Sequence, residues 1–98
     1  MLSKRRRPSE IALEILDCID EKGEATKWDL LKILGTSWQF HHWIDEFLLK
    51  ERFVEERQEK NHCFYGKTEV GNQFHELLRN DKIMRALMQL SGNRLRRT

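Results

Sequence analysis

The chain has 98 residues, of which 39% are hydrophobic and 35% are charged, and these figures predict one small folded domain with a modest core. Its longest stretch without Asp, Glu, Lys or Arg covers only residues 33–44, whereas a membrane-spanning helix needs roughly 20 predominantly apolar residues. The basic N-terminus is not followed by an apolar stretch, so no secretory signal is predicted. We therefore expect a cytoplasmic protein without a membrane partner, whose two cysteines are reduced.

The formal net charge of +2 conceals a separation between the ends of the chain and its middle. Seven of the 18 Lys and Arg residues stand in the terminal segments, whereas all 16 acids lie between Glu10 and Asp81. We therefore predict a basic N-terminal arm over 1–7 and a basic tail over 93–98, on an acidic body. Such tails are typical of contact with a polyanion, phosphate above all, although terminal Lys and Arg also add solubility alone.

A first helix is predicted from about Pro8 to Glu21. Ser9 is its predicted N-cap, since a serine hydroxyl can accept an unpaired backbone N–H. Gly23 can take the left-handed conformation that ends a helix. Apolar residues recur along this segment at the spacing of one helix face: Ile11, Ala12, Ile15, Leu16 and Ile19.

A helix–turn–helix is predicted next. Thr26, with an acid three residues later, resembles a capping box and opens a second, short helix that ends at Gly35. The turn Leu34-Gly35-Thr36-Ser37 then leads into a third helix from Trp38 to about Lys50, with the serine as its cap. The spacing predicts four buried positions on this helix: Phe40, Ile44, Phe47 and Leu48.

A β-hairpin and a last helix follow. Residues 53–57 and 62–65 are predicted as strands, and the polar residues 58–61 as the turn between them. Thr68 is the predicted N-cap of the last helix, which either breaks at Asn80-Asp81 or runs on to Ser91 before Gly92. Its first apolar face is predicted to hold four residues: Val70, Phe74, Leu77 and Leu78.

The order of helix, helix–turn–helix, two-strand hairpin and helix is that of a winged helix. We therefore predict a mainly α fold with a small β-hairpin wing, in which a winged helix-turn-helix domain covers 8–80 and a C-terminal helical extension covers 81–92. Helices 1 to 3 are predicted to form one core that the first strand and the last helix close: Ile15, Leu16, Ile19, Leu30, Leu34, Phe40, Ile44, Phe47, Leu48, Val54 and Phe74.

Several segments between about residues 9 and 80 carry a family resemblance: Asp29-Leu30-Leu31, Leu34-Gly35-Thr36-Ser37, Trp43-Ile44-Asp45-Glu46-Phe47-Leu48-Leu49-Lys50, Phe53-Val54-Glu55-Glu56, Tyr65, Thr68-Glu69-Val70-Gly71 and Phe74. The chain resembles the small archaeal winged-helix DNA-binding proteins and transcriptional regulators that have a C-terminal dimerisation helix. This resemblance implies a protein that binds double-stranded DNA as a dimer. Lys67 departs from the family, which usually has a branched apolar residue there, so we expect the end of the second strand to be displaced.

The candidate DNA contacts lie on the third helix, on the predicted wing and in the N-terminal arm: Ser37, Trp38, Gln39, His41, His42, Lys50, Arg57, Lys60, Arg5, Arg6 and Arg7. The Gln39 amide can make a two-pronged contact with adenine, and His41 or His42 can donate to guanine or phosphate. Phosphate contacts supply much of the affinity of DNA-binding proteins, yet the third helix has no Lys or Arg before Lys50.

Two acids on the third helix leave other functions open. Asp45 and Glu46 oppose phosphate unless they accept from a cytosine amino group. One alternative is a winged-helix protein-interaction module whose acidic body docks basic partners. Another is single-stranded nucleic-acid binding through the tails, with the folded part as a scaffold.

Apolar residues in the predicted C-terminal extension exceed what one small core requires: Ile83, Met84, Leu87, Met88 and Leu90. Exposed patches of this kind usually mark an interface, so we predict a homodimer through the last helix. The alternative is that Asn80-Asp81 turns the chain back, so that the last helix covers its own domain.

The histidines and cysteines do not predict a metal site or an active site. His41 and His42 point about 100° apart on a helix, and His62 and Cys63 face opposite sides of a strand, so neither pair can chelate one ion. His75 adds no close ligand pair. The sequence has no nucleophile–base pair with an oxyanion hole and no glycine-rich phosphate loop. We therefore expect a protein that is not an enzyme and has no cofactor and no small-molecule substrate.

Overall fold

A computed structural model describes the backbone of residues 6–97 and the side chains of residues 6–89. The described chain is mainly helical with a small three-stranded antiparallel sheet. Arg5, most of the predicted N-terminal arm and the side chains of Leu90 and of the C-terminal tail lie outside the described part. The elements in chain order are α1 (Pro8–Lys22), β1 (Ala25–Thr26), α2 (Lys27–Leu34), α3 (Ser37–Phe40), the π-helix π1 (His41–Leu48), β2 (Val54–Glu59), β3 (His62–Lys67) and α4 (Glu69–Arg97).

The first helix begins two residues earlier than a Ser9 N-cap requires. Arg7 is its N-cap and Pro8 its first residue, so the prediction of Ser9 as N-cap is wrong. The physical reason is that proline has no N–H to satisfy and its φ already suits a helix, which makes the first helical position its preferred place. The Glu10 carboxylate accepts the Arg7 backbone N–H at 2.9 Å.

A threonine is the N-cap of both α2 and α3. Thr26 and Asp29 form the predicted reciprocal capping box, with hydrogen bonds of 3.0 and 3.1 Å. Gly35 ends α2 at a φ of 89°. Thr36, and not the predicted Ser37, caps α3, because its hydroxyl accepts the Gln39 N–H at 3.1 Å.

The predicted third helix is one continuous stretch that changes its winding. The α-helical turn α3 runs directly into π1, whose hydrogen bonds reach five residues back, as from the Leu49 N–H to the Ile44 carbonyl at 2.8 Å. Phe40, Ile44 and Leu48, spaced four apart along this stretch, are all buried, while Phe47 is half-buried.

The predicted hairpin is present, and a third strand joins it. β3 lies between β1 and β2, so that Tyr65 stands opposite both Ala25 and Glu56. The turn is shorter than predicted, because pairing continues to Glu59 and His62 and leaves only residues 60–61 between the strands. β1 was not predicted, since its two residues are too few to show an alternating pattern.

α4 is one unbroken helix that starts as predicted and runs farther than predicted. The Thr68 hydroxyl caps it by accepting the Gly71 N–H at 2.9 Å. Asn80-Asp81 does not break the helix or turn the chain back, and the helix continues past Gly92 to Arg97. The residues that face the rest of the chain are spaced as one α-helical stripe: Gly71, Phe74, His75 and Leu78.

Two residues of the predicted inner face of α4 point away from the core. Val70 is 50% exposed and Leu77 is 66% exposed. The predicted core is otherwise buried, with Phe47 and Phe74 half-buried at its edge. Those two rings pack edge to face at a centroid distance of 6.0 Å, and Phe74 also stacks on Phe53 at 4.2 Å.

A glycine sets how closely α4 approaches the start of β2. A Cβ atom at Gly71 would lie 1.8 Å from the carbonyl oxygen of Phe53. The same carbonyl accepts the Thr68 N–H at 3.1 Å, and the Thr68 hydroxyl donates to the Arg52 carbonyl at 2.6 Å. The first turn of α4 is therefore in direct contact with the backbone that leads into β2.

His75 is the one buried polar residue among those that the structure describes, at 1% exposure. Its Nε2 lies 2.7 Å from an Asp17 carboxylate oxygen on α1, and its Nδ1 lies 2.8 Å from the Lys67 ammonium nitrogen. Lys67 also pairs with Asp20 at 2.9 Å. The expected displacement at Lys67 does not occur, because Lys67 ends β3 opposite Val54 and its side chain reaches this cluster.

The partners of His75 determine its charge and its tautomer. Lysine has only donors, so Nδ1 must accept the hydrogen bond and carries no proton. A carboxylate has only acceptors, so Nε2 donates to Asp17. The arrangement therefore requires neutral His75 with its proton on Nε2, and it ties α1, β3 and α4 together.

We predict that Gly71→Ala destabilises the protein although alanine is the better helix former by about 1 kcal/mol. The added Cβ cannot be accommodated without moving the Phe53 backbone. The matched control is Gly66→Ala, where the nearest atom to the added Cβ is a flexible Glu24 side-chain atom at 3.7 Å. Urea denaturation followed by circular dichroism measures both. Equal stability of the two variants would contradict this close approach.

We also predict that His75→Leu and Lys67→Leu each lower the free energy of unfolding by about 1.5–3 kcal/mol, the usual cost of losing hydrogen bonds to charged groups. The double variant should lose less than the sum, because each single change already leaves the other partner unsatisfied. Denaturant titrations of the four proteins complete the cycle. Strict additivity would show that the two side chains do not interact.

Candidate nucleic-acid interface

The candidate side chains of α3 and π1 lie at the surface along one helical stretch. Ser37, Trp38, His41 and His42 are exposed, and Gln39 is half-buried. The Gly35 turn and the Thr36 cap place the first residues of this stretch at the surface. Phe40, Ile44 and Leu48 are buried four residues apart, and they determine which side of the stretch faces the core. Lys50, also exposed, follows just after π1.

Trp38 and His42 form a flat aromatic surface. Their rings stack with centroids 5.5 Å apart and planes inclined by only 6°, while the Trp38 side chain stays 68% exposed. Trp43 meets His42 edge to face at 5.9 Å and leads back toward the core. A large exposed ring held in one orientation is suited to contact with a sugar, a base or a protein partner.

His41 lies between two carboxylates. Its Nδ1 is 2.9 Å from an Asp45 oxygen, and its Nε2 is 3.2 Å from a Glu46 oxygen. The hydrogen bond to Asp45, aided by the negative charge of Glu46, raises the pKa of His41 above its ordinary value. His42 lies 3.7 Å from the other Glu46 oxygen. We call His41, His42, Asp45 and Glu46 the histidine–acid cluster.

Arg57, a predicted DNA contact, is occupied by acids of its own chain. Its guanidinium makes two hydrogen bonds to Glu24, at 3.0 and 2.7 Å, and one to Glu59 at 2.7 Å. It also lies over the Phe64 ring, 4.7 Å from the centroid. Arg57 therefore fastens the hairpin to the segment before β1, and the structure does not bring it to α3.

Lys60 stands at the tip of the hairpin, exposed, with a φ of 56°. This left-handed conformation is uncommon for a lysine and marks a tight two-residue turn. The hairpin contacts the helical stretch through Tyr65, whose ring meets Phe40 edge to face at 5.8 Å.

The described part of the N-terminal arm is attached to the body. Arg6 pairs with Glu14 and donates to the Ile33 carbonyl at 2.9 Å. Arg7 is exposed beside Lys82 and Arg85, in a groove between α1 and α4. The arm and the α3–π1 surface are therefore not brought together by the described contacts.

One cation next to α3 was missed from the sequence. Lys27, the first residue of α2, places its ammonium 5.3 Å from the centre of the Phe40 ring and remains exposed. The signal that could have found it is its place at the start of the first helix of a helix–turn–helix, where backbone N–H groups and a basic side chain favour an anion together.

The candidate dimerisation residues are on the surface of α4. Ile83, Met84, Leu87 and Met88 are each more than half exposed, and the Leu90 side chain lies outside the described part. Together with Val70 and Leu77 they form an apolar stripe, which we call the α4 stripe.

Within residues 6–97, no group of three or more His, Cys, Asp or Glu side chains could hold a metal ion. Over the same residues, no helix is long and apolar enough to cross a membrane. Cys18 and Cys63 are half-buried and unbonded to each other. Comparison with known families, curated proteins and solved structures found no match to this chain.

Proposed function

We propose that this protein is a winged-helix DNA-binding protein of the transcription-regulator type, in which α3 and π1 enter the groove of duplex DNA and the β2–β3 hairpin is the wing. The observation that carries the proposal is the exposed start of α3. A tight glycine turn brings the exposed Ser37 and Trp38 and the half-buried Gln39 to the N-terminal end of a helix, which is the part that reads base edges in helix-turn-helix proteins.

Phosphate contacts come from cations around this helix end. Lys27 precedes it in α2, Lys50 follows it after π1, and Lys60 is at the wing tip. Arg57 is not counted among them, because two carboxylates already neutralise it. The arm and tail add positive charge that steers the protein toward a polyanion.

The proposed partner on the α4 stripe is a second copy of the chain. Val70, Leu77 and Met84 are exposed and recur every seven residues, and Leu87 continues the pattern three positions on. This is the spacing of a two-helix coiled-coil seam. A seam of this kind between two α4 helices would place two copies of α3 on half-sites about 34–36 Å apart.

A protein-interaction module is the second candidate, and one observation favours it. The exposed side of π1 carries Asp45 and Glu46 beside the Trp38–His42 stack, a combination that suits a basic protein surface. The first candidate predicts that the protein binds duplex DNA, whereas the interaction module predicts that it does not. One titration with duplex DNA therefore separates the two candidates.

We predict that the protein binds duplex DNA with a steep salt dependence. Each phosphate contact contributes about −0.9 to the slope of log K against log salt, so three lysine contacts give a slope of about −2.7 per protomer before the tails are counted. Fluorescence anisotropy of a labelled duplex at two salt concentrations measures the slope. No salt-sensitive binding at micromolar protein would leave the interaction module as the better candidate.

Variants assign the contacts within the same assay. Lys27→Gln should weaken binding to all sequences alike and flatten the slope by about 0.9. The matched control is Lys32→Gln, which removes the same charge from α2 about 140° around the helix and should change little. Gln39→Ala should instead weaken only a preferred site, by about 1–3 kcal/mol.

We predict that the protein is a dimer and that Met84→Glu/Leu87→Glu makes it monomeric, because two carboxylates would be buried in the apolar seam. Asn72→Glu/Gln89→Glu adds the same charge to exposed positions off the stripe and should remain dimeric. Sedimentation equilibrium measures the mass of each. A wild-type protein that stays monomeric at tens of micromolar contradicts the dimer.

A further inference from the structure

We propose that DNA binding by the α3–π1 surface is coupled to proton uptake by the histidine–acid cluster, so that the protein binds duplex DNA more tightly as the pH falls. This inference rests on the proposed function and names the regulation of that same surface. It arises from the geometry around His41, whose two ring nitrogens both lie close to carboxylate oxygens.

Both ring nitrogens of His41 face acceptors. Asp45 and Glu46 can only accept hydrogen bonds while ionised, and their oxygens lie 2.9 and 3.2 Å from the two nitrogens. Neutral imidazole carries one N–H and can satisfy one of these contacts, whereas imidazolium carries two and satisfies both. The observed arrangement is therefore complete only when His41 is protonated.

The charge that the cluster presents depends on this proton. With His41 neutral, the two carboxylates beside its ring are uncompensated. One proton on His41 halves this negative charge. Since like charges repel across a binding interface, the deprotonated cluster opposes phosphate more strongly than the protonated one does.

Neighbouring elements supply no cation that pairs with Asp45 or Glu46 among the described residues. From β3, Tyr65 lies near Asp45, but its hydroxyl is hydrogen-bonded to Glu56 at 3.4 Å and brings no positive charge. From α2, Lys27 lies over the Phe40 ring. Among the described residues, no cation of another element forms an ion pair with either acid of the cluster. Within the described chain, the ion-pair partners of these two acids are therefore the ring nitrogens of the cluster itself, and His41 is the ring that contacts both acids.

The direction of the effect follows from linkage. The hydrogen bond to Asp45, aided by the charge of Glu46, favours the charged form of His41 and raises its pKa. Nearby DNA phosphates favour the charged form further, so the complex binds more protons than the free protein. Affinity therefore rises as the pH falls, by at most about tenfold per pH unit for each proton taken up.

The test is anisotropy of a labelled duplex at constant ionic strength, at about pH 6 and about pH 8. We expect the wild type to bind several-fold more tightly at the lower pH. Asp45→Asn/Glu46→Gln, which removes the repulsion, should bind more tightly than the wild type at the higher pH and lose most of the pH dependence. Glu21→Gln/Glu76→Gln removes two acids outside the cluster and should keep the wild-type pH dependence.

His41→Gln and a calorimetric measurement complete the design. His41→Gln keeps the two acids but cannot become positive, so its binding should be weak at both pH values. Calorimetric titration with DNA in two buffers of different ionisation enthalpy counts the protons taken up by the wild type directly. Salt-sensitive binding that is equal at both pH values, with no proton uptake, would overturn the coupling and leave the proposed function standing. The absence of salt-sensitive binding at either pH would overturn both.

Discussion

The fold depends on one buried imidazole. His75 lies where α1, β3 and α4 meet, and each of its nitrogens has a partner on a different element, Asp17 on α1 and Lys67 on β3. A buried polar ring costs free energy unless its hydrogen bonds are made, so this position tolerates only an arrangement in which all three elements are in place. Asp20 and Arg79 extend the cluster to the surface, through the Lys67–Asp20 and Arg79–Asp20 pairs.

Two histidines in this chain have opposite requirements for the proton. His75 lies between a donor and an acceptor and is held neutral, whereas His41 lies between two acceptors and is complete only as a cation. The difference comes entirely from neighbours and burial, since both rings are chemically identical. The same side chain therefore joins three elements of the fold at one place and forms part of the exposed surface of π1 at the other.

The sequence predicts local structure well where one periodic signal or one cap decides it. The apolar spacing of Ile11, Ile15 and Ile19 and the caps at Thr26 and Thr68 were sufficient for three of the helices. The change of winding in π1 was not predictable, because buried residues four apart fit both an α-helix and a π-helix. The exposure of Val70 and Leu77 was missed for a similar reason, since apolar spacing does not say whether a face is covered by the same chain.

Some residues of the candidate site could likewise be predicted from local sequence and others could not. The exposed residues from Ser37 to His42 could be named from the helix–turn–helix pattern alone. The occupied state of Arg57 could not, because Glu24 lies 33 residues earlier and only the β1–β3 pairing brings them together. Likewise, nothing local in the sequence connects Lys67 to Asp20, with which it pairs. Contacts of long sequence separation therefore decide which charged side chains remain available to a ligand.

The junction at Gly71 leaves no linker between the hairpin and the long helix. Only Thr68 separates β3 from α4, and its hydroxyl and amide are bonded to the backbone just before β2. In the proposed dimer, the angle between the two α3 helices around the DNA axis would therefore be fixed by the seam and could not adjust by flexing. Because duplex DNA turns once in about 10–10.5 base pairs, inserting about half a turn between the half-sites would carry one of them to the opposite side of the duplex, beyond the reach of the second protomer.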